Sequence, residues 1–415
     1  RHLHSLAQRT MLSATIGSSS HEGSWEYGAT WLLWLGCAVS LAFIQSVPTI
    51  PAITFLGAVL AHCALFPRRA YLAITWSFVP WAIVVFGMLS VLWSLEPMVS
   101  ARAAPQIGIT VLAAIMFAQG LPARTFIAVL MYAQLSSIVA SFFVTGVFGA
   151  KNSLGLQLAL AMLSSVWVLL DRYQPKYARA IALSAILGAP YMLLSAGSEG
   201  ALLTGFIAVA GSVAIFLSRG LQPEARMVLF WLCLIAALIA LGFAFLSTDH
   251  LFDVFLSSIG KDASLTGRTV LWSRAAGIIS DYPWGGVGLQ AFWVAGNPEA
   301  IRFWEMFYIY GHAGFHFHDL WLEIGVELGL IGILIAAVTV IIVVFNVWRW
   351  ALRDPGPESC FFAGFVTLIL LRTVGEVELF TQFNLTSLIF ISAYCYADRA
   401  RSGLHVQTDE FHQPR

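Results

Sequence analysis

The sequence predicts an all-α, polytopic membrane bundle of about 12 transmembrane helices with a large, partly helical outer loop, and three observations predict it. Hydrophobic residues make up 59% of the 415-residue chain, charged residues make up 11%, and the mean hydropathy is +0.80, a balance foreign to soluble domains. Most of the apolar residues fall in runs long enough for membrane helices. Between the ninth and tenth runs, by contrast, lies a long polar insertion, residues 247–319. In a bundle of short connections such an insertion reads as a site rather than a linker.

In chain order, Arg1 to Glu26 has no secretory hydrophobic region and reads as a flexible cytoplasmic tail; because the chain opens on arginine, its start is read as truncated or processed. The first six apolar runs are Gly28 to Ile44, Thr49 to Phe66, Tyr71 to Trp93, Ile107 to Gly120, Thr125 to Phe148 and Ser153 to Leu170. The next six are Ala180 to Ser195, Ala201 to Leu217, Met227 to Leu246, Leu320 to Val347, Cys360 to Leu371 and Leu385 to Ala397. A helix needs roughly 20 residues to cross the hydrocarbon core, and tilt and flanking turns accommodate the shorter runs. Pro80 and Pro190 fit as kinks within membrane helices. No internal repeat or second domain is visible, so residues 27–398 form one transmembrane domain and residues 399–415 a cytoplasmic tail. The five cysteines sit in or at the ends of apolar runs without C-x-x-C spacing and read as small core residues.

Positive charge orients this bundle, because short cytoplasmic loops are enriched in Lys and Arg. With the N-terminus inside, the inner connections and the C-terminal tail hold Arg68, Arg69, Arg124, Arg172, Lys176, Arg179, Arg219, Arg226, Arg349, Arg353, Arg399 and Arg401. The outer connections hold Arg102, Lys151, Lys261, Arg268, Arg274, Arg302 and Arg372, although they include the longest loop. The polar insertion therefore faces outward, where neither ATP nor a nucleotide sugar is available. Transfer chemistry there needs a donor that is already activated and already across the membrane, a condition that lipid-linked pyrophosphates meet. A net charge of zero gives no reason to expect a nucleic-acid partner.

Within the insertion, Thr269, Leu271, Trp272, Ala275, Ala276 and Ile279 recur with helical period, and the stripe is expected to lie along the membrane interface. Asp281-Tyr-Pro-Trp-Gly-Gly then ends that helix by turn chemistry. Arg268, Arg274, Arg302 and Lys151 are candidates to hold a diphosphate, arginine being the better group because its planar fork meets two phosphate oxygens at once. His318 is placed to take a proton at neutral pH. Alternatives remain for each: a headgroup contact for Arg268, an interfacial role for His318 with His316 as the base, and a snorkelling helix end for Lys151. His312 and His316 have i, i+4 spacing, but Gly314 lies between them and there is no H-E-x-x-H, so no metal is expected. Asp319, Glu323 and Glu327 fall on one helical face and either orient His318 and bind sugar hydroxyls or line a wet vestibule. There is no G-x-S-x-G for a serine hydrolase.

The phrases GRT-x-LW from Gly267, P-x-GG-x-G-x-x-AFW from Pro283 and H-D-x-WLE-x-x-x-ELG-x-x-G from His318, with KN-x-LG from Lys151, resemble the signature of the O-antigen ligase and O-antigen polymerase superfamily. The nearest resemblance is to the bacterial exopolysaccharide-production polymerases, through the AFW and FHFH phrases. It implies a GT-C-like, metal-independent glycosyltransferase of the bacterial inner membrane with a periplasm-facing site and no cofactor. The donor it implies is an undecaprenyl-diphosphate-linked oligosaccharide, transferred to an acceptor glycan, with membrane lipid, a chain-length regulator and export proteins as further partners. By the same resemblance Arg268 binds the diphosphate and His318 orients or deprotonates the acceptor hydroxyl, while Lys151, Asn152, Arg274, Arg302, His316, Asp319 and Glu323 contribute to substrate binding. Where many members carry Ser-Arg or Ser-Lys before the eighth run, this chain has Ser198-Glu199-Gly200, which puts the second phosphate-binding cation in doubt. A ligase moving a finished glycan, or a flippase of the same lipid-linked substrate, are the alternative functions.

Overall fold

The computed structural model describes residues 20–44, 48–143, 151–247, 266–311 and 315–403, and all the regular elements within them are helical. Much of both predicted tails, the stretch 248–265 with Lys261, and His312 lie outside the described residues. The helices are α1 (Ser20–Phe43), α2 (Thr49–Leu65), α3 (Pro67–Thr75), α4 (Ala82–Leu89), α5 (Pro97–Gly120), α6 (Ala123–Phe143), α7 (Lys151–Leu170) and α8 (Lys176–Ser195). They continue with α9 (Glu199–Leu217), α10 (Pro223–Ser247), α11 (Thr266–Asp281), α12 (Pro298–Met306), α13 (Leu320–Arg353), α14 (Pro357–Arg372) and α15 (Leu385–Ser402).

The punctuation is readable in the chain. Pro67, Pro97, Pro223, Pro298 and Pro357 open helices, where a missing N–H costs nothing and the fixed φ is already helical. Asn297, Asp319 and Asn384 cap α12, α13 and α15 through their side chains, and left-handed Gly403 ends α15.

Within the described residues each apolar run falls largely on helix, with two corrections to the expected continuity. The run Tyr71 to Trp93 is not one helix: α3, which leaves α2 at a bend of 103° ahead of the run, stops at Thr75, and short 3₁₀ turns flank α4. Pro67 enforces the first break and Pro80 the second, since neither can continue a preceding helical ladder. The run Leu320 to Val347 is interrupted at Gly329 (φ 66°, ψ −167°), so residues 320–328 and 330–353 are separate helical segments. Among the described residues six helices are long and apolar enough to cross a membrane, or seven with α2 and α3 counted as one bent span.

The main core lies where α14 and α15 meet α1, α5, α6, α7 and α13, and Phe361, Phe362, Phe365 and Phe390 fill it. Helices α8, α9 and α10 are peripheral and expose Leu187, Tyr191, Phe206, Val228 and Trp231, apolar surface that suits lipid rather than water. A second core is centred on the long polar insertion: Leu271, Ala275 and Ile278 of α11 pack with Phe292, Phe303, Trp304, Phe317 and Val326. The stripe expected at the membrane interface is therefore largely internal. Leu271 and Ala275 are buried and Trp272 and Ile279 partly so, because α11 packs on α13, while Thr269 and Ala276 face outward.

Candidate active site

The loop after α11 is seated in the break of α13. Val287 and Gly288 donate backbone hydrogen bonds to the carbonyls of Val326 and Glu327, both at 2.9 Å, and Leu330 donates to Pro283 at 2.7 Å. Gly286 (φ 63°) and Gly329 (φ 66°) make this possible: a Cβ on the first would lie 2.5 Å from the Glu327 carbonyl carbon, and on the second 2.4 Å from that of Trp284. Both positions combine left-handed backbone with direct backbone approach, which glycine alone accommodates. Thus the P-x-GG-x-G and ELG phrases are two halves of one lock.

The lock carries the histidine segment. Phe317 donates its N–H to Glu323 Oε2 at 2.7 Å and accepts Trp272 Nε1 on its carbonyl at 2.9 Å, while Trp293 Nε1 reaches Glu323 Oε1 at 3.1 Å. With that peptide gripped from both sides, His318 takes φ 53° and donates its N–H to His316 Nδ1 at 3.0 Å. The two imidazole centroids are 4.3 Å apart. A non-glycine residue in this conformation is uncommon, and such residues cluster at functional sites.

Three sequence-predicted residues converge on one carboxylate that the sequence reading did not single out. Glu376, in the connection between α14 and α15, accepts Asn152 Nδ2 at 2.6 Å and faces Arg268 Nη2 at 3.4 Å, both on Oε1. His318 Nδ1 lies 3.7 Å from Oε2, longer than a hydrogen bond. Burial pushes the Glu376 carboxyl up, but His318, Arg372 and His316 outweigh it, so the net displacement is below the usual carboxylate value. His316 is moved down to about 4, first by loss of solvent around the ring and then by the charge of His318, with Arg268 adding to it and Glu376 opposing. It is therefore neutral at physiological pH.

The connection bearing Glu376 is itself anchored. Leu320 N–H bonds the Thr373 carbonyl at 2.9 Å, and the buried pair Arg372–Glu378 closes at 2.7 Å. Gly155 of the KN-x-LG phrase lets α7 approach the start of α9, since a Cβ there would meet the Ser198 hydroxyl. Asn152 lies one turn away on the same helix. The side chains of Lys151 and Glu199 lie outside the described residues.

The other predicted site residues do other things. Asp319 caps α13, Oδ1 accepting from Trp321 and Leu322 at 2.9 Å. Glu323 supports the histidine segment, as above. Arg274 forms a two-pronged pair with Glu299 at 2.5 and 2.6 Å, tying α11 to α12, and Arg302 is exposed on α12. His316, His318 and Glu376 offer ligand-type atoms within 4.8 Å of one another. As arranged, however, the Nδ1 lone pair of His316 is engaged by the His318 amide, which puts the neutral ring's proton on Nε2, and Arg268 already supplies a cation beside Glu376. The arrangement suits anion binding and proton transfer better than metal ligation.

The family described as O-Antigen ligase matches residues 183–337, which include Arg268, His316, His318 and both halves of the glycine lock but neither Asn152 nor Glu376. The Exopolysaccharide production protein ExoQ of Rhizobium meliloti (strain 1021) is 30% identical over 336 residues, covering 77% of this chain and 76% of that protein.

Proposed function

Since the chain belongs to the O-antigen ligase family, we propose that it polymerises undecaprenyl-diphosphate-linked oligosaccharide repeats at the outer face of a bacterial inner membrane. The observation that carries this reading is the meeting of Arg268 and His318, from separate segments, at one carboxylate. The guanidinium of Arg268 clamps the diphosphate of the donor. His318 takes the proton of the acceptor hydroxyl as its oxygen bonds the anomeric carbon; the bond from that carbon to the diphosphate breaks, and the lipid diphosphate leaves with the electron pair. A fixed guanidinium stabilises the charge on this leaving group in the transition state, so the chemistry needs neither a metal nor a cofactor. The proton on His318 then passes to solvent.

The bundle has about 12 spans with both termini in the cytoplasm, motivated by the Lys/Arg asymmetry. In cysteine-substituted protein, a label applied outside intact cells should reach a cysteine at Glu305 and spare one at Gln174; the reverse pattern contradicts the orientation. Polymerisation and ligation leave different glycans on the lipid carrier. The glycan profile of a deletion strain tests this: loss of a polymerase leaves single repeats on the carrier, whereas loss of a ligase leaves long glycans on it. A flippase would need no base, so a fully active His318→Ala strain would favour that class.

A further inference from the structure

Glu376 is shared by three elements, and two of its contacts are long. Asn152 of α7 holds Oε1 at 2.6 Å, while Arg268 of α11 stands 3.4 Å from the same oxygen and His318 3.7 Å from Oε2. A closed charge-assisted N–H···O bond is about 2.7–2.9 Å. The carboxylate is therefore divided between the guanidinium and the imidazole and shut on neither. The other titratable groups facing it include His316, neutral at physiological pH, Glu378, and Arg372 at the end of α14, already bonded to Glu378 at 2.7 Å.

We propose that Glu376 is a positioning residue that latches Arg268 in the substrate-free protein and turns to His318 when a lipid diphosphate takes Arg268 over. This rests on the reading of Arg268 as the diphosphate clamp. A diphosphate displaces a single carboxylate from a guanidinium because it brings more charge and more acceptor oxygens to the fork. With Arg268 drawn away, Glu376 loses one competing cation and is left to the imidazole. A carboxylate against that ring orients it and stabilises the imidazolium that forms as it takes the acceptor's proton. Asn152, bonded to Oε1, keeps the carboxylate in place during the exchange. The base is thus made ready by the donor, and the donor binds before the acceptor.

The test uses full-length protein in nanodiscs with undecaprenyl diphosphate as the probe, beside polymer synthesis in cells lacking the wild-type copy. Glu376→Gln keeps the shape and the acceptor for Asn152 while removing the charge. The latch predicts effects of opposite sign: probe affinity rises about 5- to 10-fold, the low end of usual site couplings, and polymer synthesis falls by about tenfold or more. A purely structural role would weaken both. In an Arg268→Ala background the gain in affinity should vanish. A gain that persists there means Glu376 simply repels the diphosphate, and the latch is wrong. Weaker or unchanged probe binding by folded Glu376→Gln, with Arg268→Ala impaired, overturns the latch and leaves the clamp standing; unchanged binding by Arg268→Ala overturns the clamp and the latch with it. Should Glu376→Gln not fold, Glu376→Asp decides, since its shorter reach frees Arg268 and is expected to shift both readouts the same way by smaller factors.

Discussion

The glycine lock and the Glu376 cluster both meet the histidine segment but are built in opposite ways. In the lock, backbone meets backbone: amide hydrogen bonds of 2.7–2.9 Å join the Pro283–Gly288 turn to the break in α13, with no room for a Cβ at Gly286 or Gly329. In the cluster, side chains from α7, α11 and the segment before α13 meet on one carboxylate, and the contacts of Arg268 and His318 are 3.4 and 3.7 Å. Rigid backbone thus carries loosely closed side chains, which suits a site whose partners must exchange as substrate binds. Left-handed non-glycine residues follow the same division. Among the described residues these are Gln290, Tyr308, His318, Phe380 and Phe383, all in the polar insertion or the connection bearing Glu376.

The comparison breaks most visibly in the lock. Gly329→Val adds a branched side chain at positive φ against the Trp284 backbone, and no nearby movement accommodates it. The expected outcome is loss of folded protein from the membrane fraction, read by size-exclusion chromatography in detergent; a well-folded variant would show that the loop is not seated in the helix break. Next in size, Arg268→Lys keeps the charge but loses the fork, and polymer synthesis is expected to fall by roughly 10- to 100-fold, the loss of one charge-assisted contact or more. Wild-type polymer from that strain would mean that a point charge is enough.

Acid should act on the cluster before the lock. His316 titrates near 4 in the folded protein against an ordinary 6.5, so between these values the unfolded chain takes up a proton that the folded one does not, and stability falls as pH drops from 6.5 to 4. Glu376 adds in the same direction lower down, its depressed value making a contribution present above 4.5 that disappears as pH falls through the folded value. Melting temperature in nanodiscs should therefore decline across this range, and His316→Gln should flatten the upper part of the decline. A parallel profile in the variant would remove His316 as the cause. The smallest effect is expected at Arg274→Ala. Its pair with Glu299 is more than a third exposed on both sides, and such pairs contribute about 0.2–1 kcal/mol. A loss of activity on the scale of Arg268→Ala would instead place Arg274 on the substrate.

Much of this was legible in the sequence because it depends on composition or on glycine. Apolar runs marked the helices, and proline and Asn/Asp caps marked their ends. The glycine phrases marked the loop, although their mutual docking was not readable, since nothing in a one-dimensional pattern says that ELG and GG-x-G share a backbone ladder. Arg268 and His318 stood out by residue chemistry, and Asn152 through the KN-x-LG phrase. Glu376 did not: it stands in Val374-Gly-Glu-Val-Glu, a short connection with no spacing to set it apart from Glu378, and only tertiary folding brings it to Arg268. The signal available was an acidic residue in the same short connection as Arg372. Asp319 and Glu323 show the converse, side chains whose type was readable but whose contacts were not. An acidic face beside a histidine looks like a sugar site, yet the first is a cap and the second holds the Phe317 peptide.

The account stands on Arg268 and His318 doing separable work at one place, and donor binding separates them. Affinity for undecaprenyl diphosphate in nanodiscs should fall by about tenfold or more in Arg268→Ala, the cost of a lost charge-assisted pair, and stay near wild type in His318→Ala. In cells the latter should lose polymer by about 10²- to 10⁴-fold, the usual contribution of a general base. Full-length polymer from a well-expressed His318→Ala strain, or equal donor affinity in Arg268→Ala and wild type, would contradict it.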